Sequence, residues 1–164
     1  MKRRISAVAL SSCVAAGLAT AAVAAPNQAV GKGKTVTLHL VTKEVAGTFV
    51  DNPPRGGSDE PPLMGDQLTF TSDILTRSGA HAGIFAATCT VARGGVRARV
   101  LCYGAYSLKG GLISGVAMPG DGDTTRVAIT GGTGAYEGVT GSALEVSRGD
   151  NSPLTDLTIH LIYR

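Results

Sequence analysis

From Thr35 onward the chain alternates apolar and polar residues in short runs. A period of two puts every second side chain on one face of a strand. Thr35 to Thr42 is the first run, with Val36, Leu38 and Leu40 sharing a face. Asp66 to Leu75 is the second, with Leu68, Phe70 and Ile74 together. Ala82 to Val91 follows, carrying Phe85, Ala87, Cys89 and Val91 on one side. In Val96 to Tyr106, residues Val96, Ala98, Val100, Cys102 and Tyr106 oppose Arg97, Arg99 and Tyr103. Leu112–Met118, Thr125–Thr130 and Ser142–Ser147 give three more strands, and Leu157, Ile159, Leu161 and Tyr163 mark an eighth.

The runs are separated by turn residues. Arg93-Gly94-Gly95-Val96, Gly110-Gly111, Pro119 to Asp123 and Gly149 to Pro153 each suit a tight reversal. The densest cluster is Gly131 to Gly141. No Lys-Ser/Thr pair and no helical pattern follow it, so it reads as turn architecture rather than a phosphate cradle. Residues 50–62 hold Pro53-Pro54, Gly56-Gly57 and Pro61-Pro62, which excludes a central strand. This longest gap is a candidate lid, with a disordered connector as the alternative. Eight short strands without a helical stretch predict an all-β fold, either a sandwich or a barrel. Consecutive hairpins favour an eight-stranded antiparallel up-and-down β-barrel, whose closure also removes exposed edges. Such a barrel holds at most one small ligand.

Lys2, Arg3 and Arg4 precede an apolar, small-residue run to Val23, and Ala22-Val23-Ala24 fits a cleavage site. Residues 1–24 therefore read as a secretory signal peptide, 25–34 as a flexible leader and 35–164 as one domain. A lipoprotein box at Leu10-Ser11-Ser12-Cys13 is the weaker alternative, because so little apolar sequence precedes it. The expected protein is secreted and extracellular, with no membrane segment after signal removal. Fifteen Lys and Arg face twelve Asp and Glu. Lys2, Arg3 and Arg4 supply that whole excess, so the domain is balanced and gives no sign of nucleic-acid binding. Cys89 and Cys102 flank a turn almost symmetrically, which suggests a disulfide in an oxidising compartment; two buried thiols are the alternative.

Candidate chemistry is sparse. There is no G-x-S-x-G elbow, and His39, His81 and His160 lie on separate strands without metal-ligand spacing. Asp121-Gly122-Asp123 lacks the remaining positions of a calcium loop. No metal site and no cofactor are expected. The candidates for a barrel cavity are Asp66, Phe70, Ser72, Phe85, Tyr103, Tyr106 and Glu145. An acid inside an apolar barrel would have a raised pKa and would serve as a general acid. Each has an ordinary alternative: core packing for the phenylalanines, rim packing for the tyrosines, a turn for Asp66 and an outward face for Glu145.

Ile129-Thr130-Gly131-Gly132-Thr133-Gly134-Ala135-Tyr136-Glu137-Gly138 resembles a hairpin of the allene oxide cyclase and dirigent superfamily. Gly65-Asp66 leading to Phe70-Thr71, and Ala82-Gly83-Ile84-Phe85, are similar to two further stretches of the plant cyclases in the same order. The resemblance implies an eight-stranded barrel with an apolar cavity, often trimeric. It also implies a small lipophilic or phenolic ligand that is cyclised, isomerised or held in one stereochemical course, chiefly by proximity and shape. Phe70 matches a cavity phenylalanine, Ser72 replaces a polar amide and Phe85 replaces a cysteine. The acid and asparagine of the cyclases' first strand fall on Val41 and Lys43, unless a register shift brings in Glu44; a frequent dirigent arginine falls on Thr140. These departures keep a second expectation open, a non-catalytic extracellular ligand-binding or interaction module.

Overall fold

A computed structural model describes residues 33–54, 60–120, 122–149 and 151–164. The expected signal peptide, nearly all of the leader and the centre of the 50–62 loop lie outside the described residues. Eight strands follow in chain order: β1 Thr35–Val50, β2 Gln67–Thr76, β3 His81–Arg93, β4 Arg99–Leu108, β5 Gly111–Ala117, β6 Thr124–Gly132, β7 Val139–Ser147 and β8 Leu154–Tyr163. Each pairs antiparallel with its successor, and β1 also pairs with β8, so the sheet closes into an up-and-down barrel. The sandwich alternative is therefore excluded. The only helical element among the described residues is a single 3-10 turn, Gly134–Tyr136.

Strand boundaries differ from the alternation in two instructive places. Val96 and Ala98 precede β4, and Val96 is 95% exposed. Backbone bonds explain this: Gly95 N–H donates to Pro62 O, which ties the turn to the incoming loop. Strand β1 runs on to Val50, beyond Thr42, because a bulge falls between Glu44 and Ala46. Thr42 and Glu44 oppose Ile74 and Ser72, whereas Gly47 and Phe49 oppose Phe70 and Leu68. The inward face thus passes from even to odd positions at Val45, which hides the strand from a strict period of two.

The two ends of the barrel differ. At one end the glycine-rich stretch after β6 folds back on the β4–β5 turn. Ala135 N–H donates to Gly110 O, Thr133 N–H donates to Leu112 O, and Leu112 N–H donates to the Thr133 hydroxyl Oγ1. Gly134 has φ +62, and a Cβ there would lie 2.4 Å from Gly110 O, so only glycine fits. The turn carries Tyr136 into a floor with Ile113, Ile129, Val139, Leu161 and Tyr163, all 5% exposed or less. The other end stays hollow. Its rim includes the described arm of the 50–62 loop, where Asp66 accepts from Asn52 N–H at 2.9 Å and Leu63 N–H at 2.7 Å.

Candidate functional site

Alternation along β2 to β8 aims small and aromatic side chains at the hollow end. A cavity of about 240 Å³ lies there, lined by Leu68, Phe70, Phe85, Ala87, Cys89, Val100, Cys102, Gly104, Tyr106, Gly115, Ala117, Pro119, Thr125, Val127 and Glu145. Room exists because alanine or glycine stands at Ala87, Gly104, Gly115 and Ala117. Gly104 and Gly115 face each other across β4 and β5. Cys89 and Cys102, directly opposite in β3 and β4, form a disulfide in the cavity wall.

Three aromatic rings make one side of the hollow. Phe85 stacks on Tyr106 with centroids 4.6 Å apart, and Phe70 meets Phe85 edge-on at 5.8 Å. The Tyr106 hydroxyl donates to Glu145 Oε1 at 2.7 Å, across the barrel from β4 to β7. Burial pushes the Glu145 carboxyl above the usual carboxylate range, against the opposing pull of the Tyr106 hydrogen bond. The same burial, then the charge and hydrogen bond of Glu145, push the Tyr106 phenol well above its ordinary value. Glu145 is therefore a weak acid in a carbon-lined space, poised to hold or pass a proton.

Two polar antechambers adjoin the hollow. One of about 180 Å³ is lined by Thr42, Glu44, Ser72, Ser147, Ser152, Pro153 and Thr155 together with Phe70, Phe85 and Glu145. The other, near Asp123 and Thr125, also includes Glu145 and Ser147. Glu145 stands where all three meet. A bound molecule would thus keep an apolar body among the rings and a polar end toward hydroxyls.

The structure separates the seven cavity candidates. Phe70, Phe85, Tyr106 and Glu145 line the hollow, and Ser72 lines its antechamber. Asp66 does not: it is fully buried beneath the rim loop, where its carboxylate binds the backbone. Tyr103 does not either, being 61% exposed on the outer wall opposite Thr88 and Val116. The period of two that turns Tyr106 inward turns Tyr103 outward. Glu44 reaches the antechamber by plain alternation, because it precedes the bulge and shares the inward parity of Val36, Leu38 and Leu40. Thr155 was also legible, since it shares parity with Leu157, whereas Ser147 follows Glu145, whose inward face the sequence left open. His39, His81 and His160 are all exposed.

No protein-family model matches this chain, and no curated protein matches it by sequence. Solved structures do match in shape. A pterocarpan synthase dirigent protein superposes with a TM-score of 0.66 at 17% identity, over 82% of this chain and 99% of that one. Pyocyanin demethylase gives 0.64 at 22% identity, over 77% and 99%. An exo-specific intermolecular Diels-Alderase gives 0.59 at 16% identity, over 79% and 99%. Together with the closed eight-strand order, these likenesses identify the architecture as the allene oxide cyclase/dirigent-like barrel fold.

Proposed function

We propose that this protein is a secreted barrel that binds one small lipophilic molecule in its hollow and directs that molecule's ring closure, isomerisation or stereochemistry. The observation that carries the reading is the Tyr106–Glu145 pair inside an otherwise carbon-lined cavity. An enclosed apolar wall selects shape and holds a flexible molecule in few conformations, which lowers the entropic part of a unimolecular barrier. Glu145 then supplies or removes one proton at a fixed point, and Tyr106 holds its carboxyl in place. The fold neighbours support the reading, since their names, a demethylase, a synthase dirigent protein and a Diels-Alderase, describe action on small organic molecules. The cavity is at the small end of ligand pockets, which span roughly 300–1,000 Å³. A body of one or two rings with a polar end in the antechamber fits it best.

The test is native mass spectrometry of protein taken from culture medium. The expected spectrum shows a chain starting at Ala25, carrying a small molecule at one per barrel. Glu145→Gln and Ala117→Leu then separate the two parts of the reading. The first retains the molecule and loses conversion; the second loses the molecule itself. Protein retained in the cell, or an empty barrel that binds nothing from a lipophilic extract, would refute it.

A further inference from the structure

The hollow has an electrostatic bias that its apolar walls conceal. Among the described residues lining it and its two antechambers there is no Lys, Arg or His. The ionisable groups that face this space are Glu145 from β7, Tyr106 from β4, Glu44 from β1 and Asp123 from the turn before β6. Among the described residues, Glu145 hydrogen-bonds the Tyr106 hydroxyl and has no cationic partner in this space. A carboxylate withdrawn from water without a counter-charge is unfavourable, so burial in the empty site favours the protonated carboxyl. Phe70, Phe85 and Tyr106 line the same space as one packed aromatic cluster, whose π-systems add the negative quadrupole that attracts cations. Carbon walls, ring faces and one uncompensated carboxyl together describe a receptor for a charge-bearing hydrophobe.

We propose that the preferred ligand of the hollow is a lipophilic organic cation, an amine protonated at neutral pH or its quaternary counterpart, seated against the three rings with its charge at Glu145. This rests on the reading of the hollow as a ligand site and narrows it to one chemical class. The cation supplies the missing counter-charge, which favours the ionised carboxylate of Glu145 at its side. Tyr106 keeps its proton and donates to the ionised carboxylate.

The test compares phenyltrimethylammonium with its neutral isostere, tert-butylbenzene, by NMR titration of the whole mature protein. Perturbed amides at Ala87, Tyr106 and Ala117 locate the site. The expected result is a cation bound at least about tenfold tighter at pH 8, a moderate demand on a desolvated cation–π and ion pair. That advantage shrinks as pH falls, because protonating Glu145 removes the counter-charge, while the isostere's affinity stays flat. Glu145→Gln abolishes most of the preference; Glu44→Gln and Asp123→Asn, at the wetter margins, change it by less than about threefold. A neutral isostere that binds as well at every pH, or a preference surviving in Glu145→Gln, overturns the cation assignment and leaves the ligand site standing. If neither compound moves the cavity amides, both the assignment and the ligand-site reading fail. The wild-type comparison decides the matter even should a variant misfold.

Discussion

Glu145 and Tyr106 are held together by opposite demands. Each is pushed toward its neutral form by burial, yet the hydrogen bond between them favours a charged carboxylate. Burial dominates, so the folded pKa of Glu145 lies above its unfolded one. Between those values the folded chain keeps a proton that the unfolded chain has released. Stability therefore falls as pH rises from about 4.3, the ordinary glutamate value, through the raised folded value. Glu145→Gln is expected to remove that decline, so its denaturation midpoint gains on wild type between pH 4 and neutrality. Parallel urea titrations at several pH values check this, and an unchanged difference would refute it. Tyr163 poses the reverse case, because its buried hydroxyl has no hydrogen-bond partner. Tyr163→Phe is expected to leave stability unchanged or raise it by up to about 1 kcal/mol. A measured loss larger than that would reveal a partner for the hydroxyl.

Among the elements, β3 and β4 are joined covalently in the cavity wall. Their disulfide joins residues 13 apart in sequence and directly opposite in the ladder. Closing a loop of that size restricts the unfolded chain by roughly 3 kcal/mol. The double variant Cys89→Ala/Cys102→Ala is expected to lose about 2–3 kcal/mol in equilibrium denaturation. The secreted protein, unfolded without reductant, should show no reactive thiol at these positions. The pairing was anticipated from symmetry about the Gly94-Gly95 turn, because a hairpin places such positions opposite each other. The length of β1 was not anticipated. A bulge at Val45 reverses which side chains face inward, and sequence alternation carries no mark of it. Glu44, just before that bulge, keeps the inward parity of Val36, Leu38 and Leu40, while Gly47 and Phe49 take the inward face beyond it. Gly141 is a similar case: at φ +145, a Cβ would lie 1.9 Å from His160 O, an approach fixed by β8.

For the molecule as a whole, one end is plugged and the other is hollow. The floor takes Tyr136 and Tyr163 where the glycine-rich turn folds inward, while the opposite half has alanine and glycine on its inner wall. The hollow should therefore be fillable without unfolding the barrel. Ala117→Leu is expected to change stability by less than about 1.5 kcal/mol while weakening ligand binding at least tenfold. Calorimetry paired with a ligand titration measures both, and binding that persists would place the ligand elsewhere. The stability estimate follows from adding carbon to empty space, where a tightly packed core would resist it.

The number of strands, their antiparallel order and the inward parity of Phe70, Phe85 and Tyr106 were determined by the sequence itself. These features follow from side-chain alternation and the backbone freedom of glycine, which are local properties of the chain. Asp66 and Tyr103 were misplaced as cavity residues because chemical type alone says nothing of what faces what. Only the closed barrel decided that Asp66 would hold a rim loop, that the inward face of β1 would switch beyond Glu44, and that Tyr106 would meet Glu145 from 39 residues away. Such encounters depend on register and curvature summed over every strand, so no single stretch of sequence contains them.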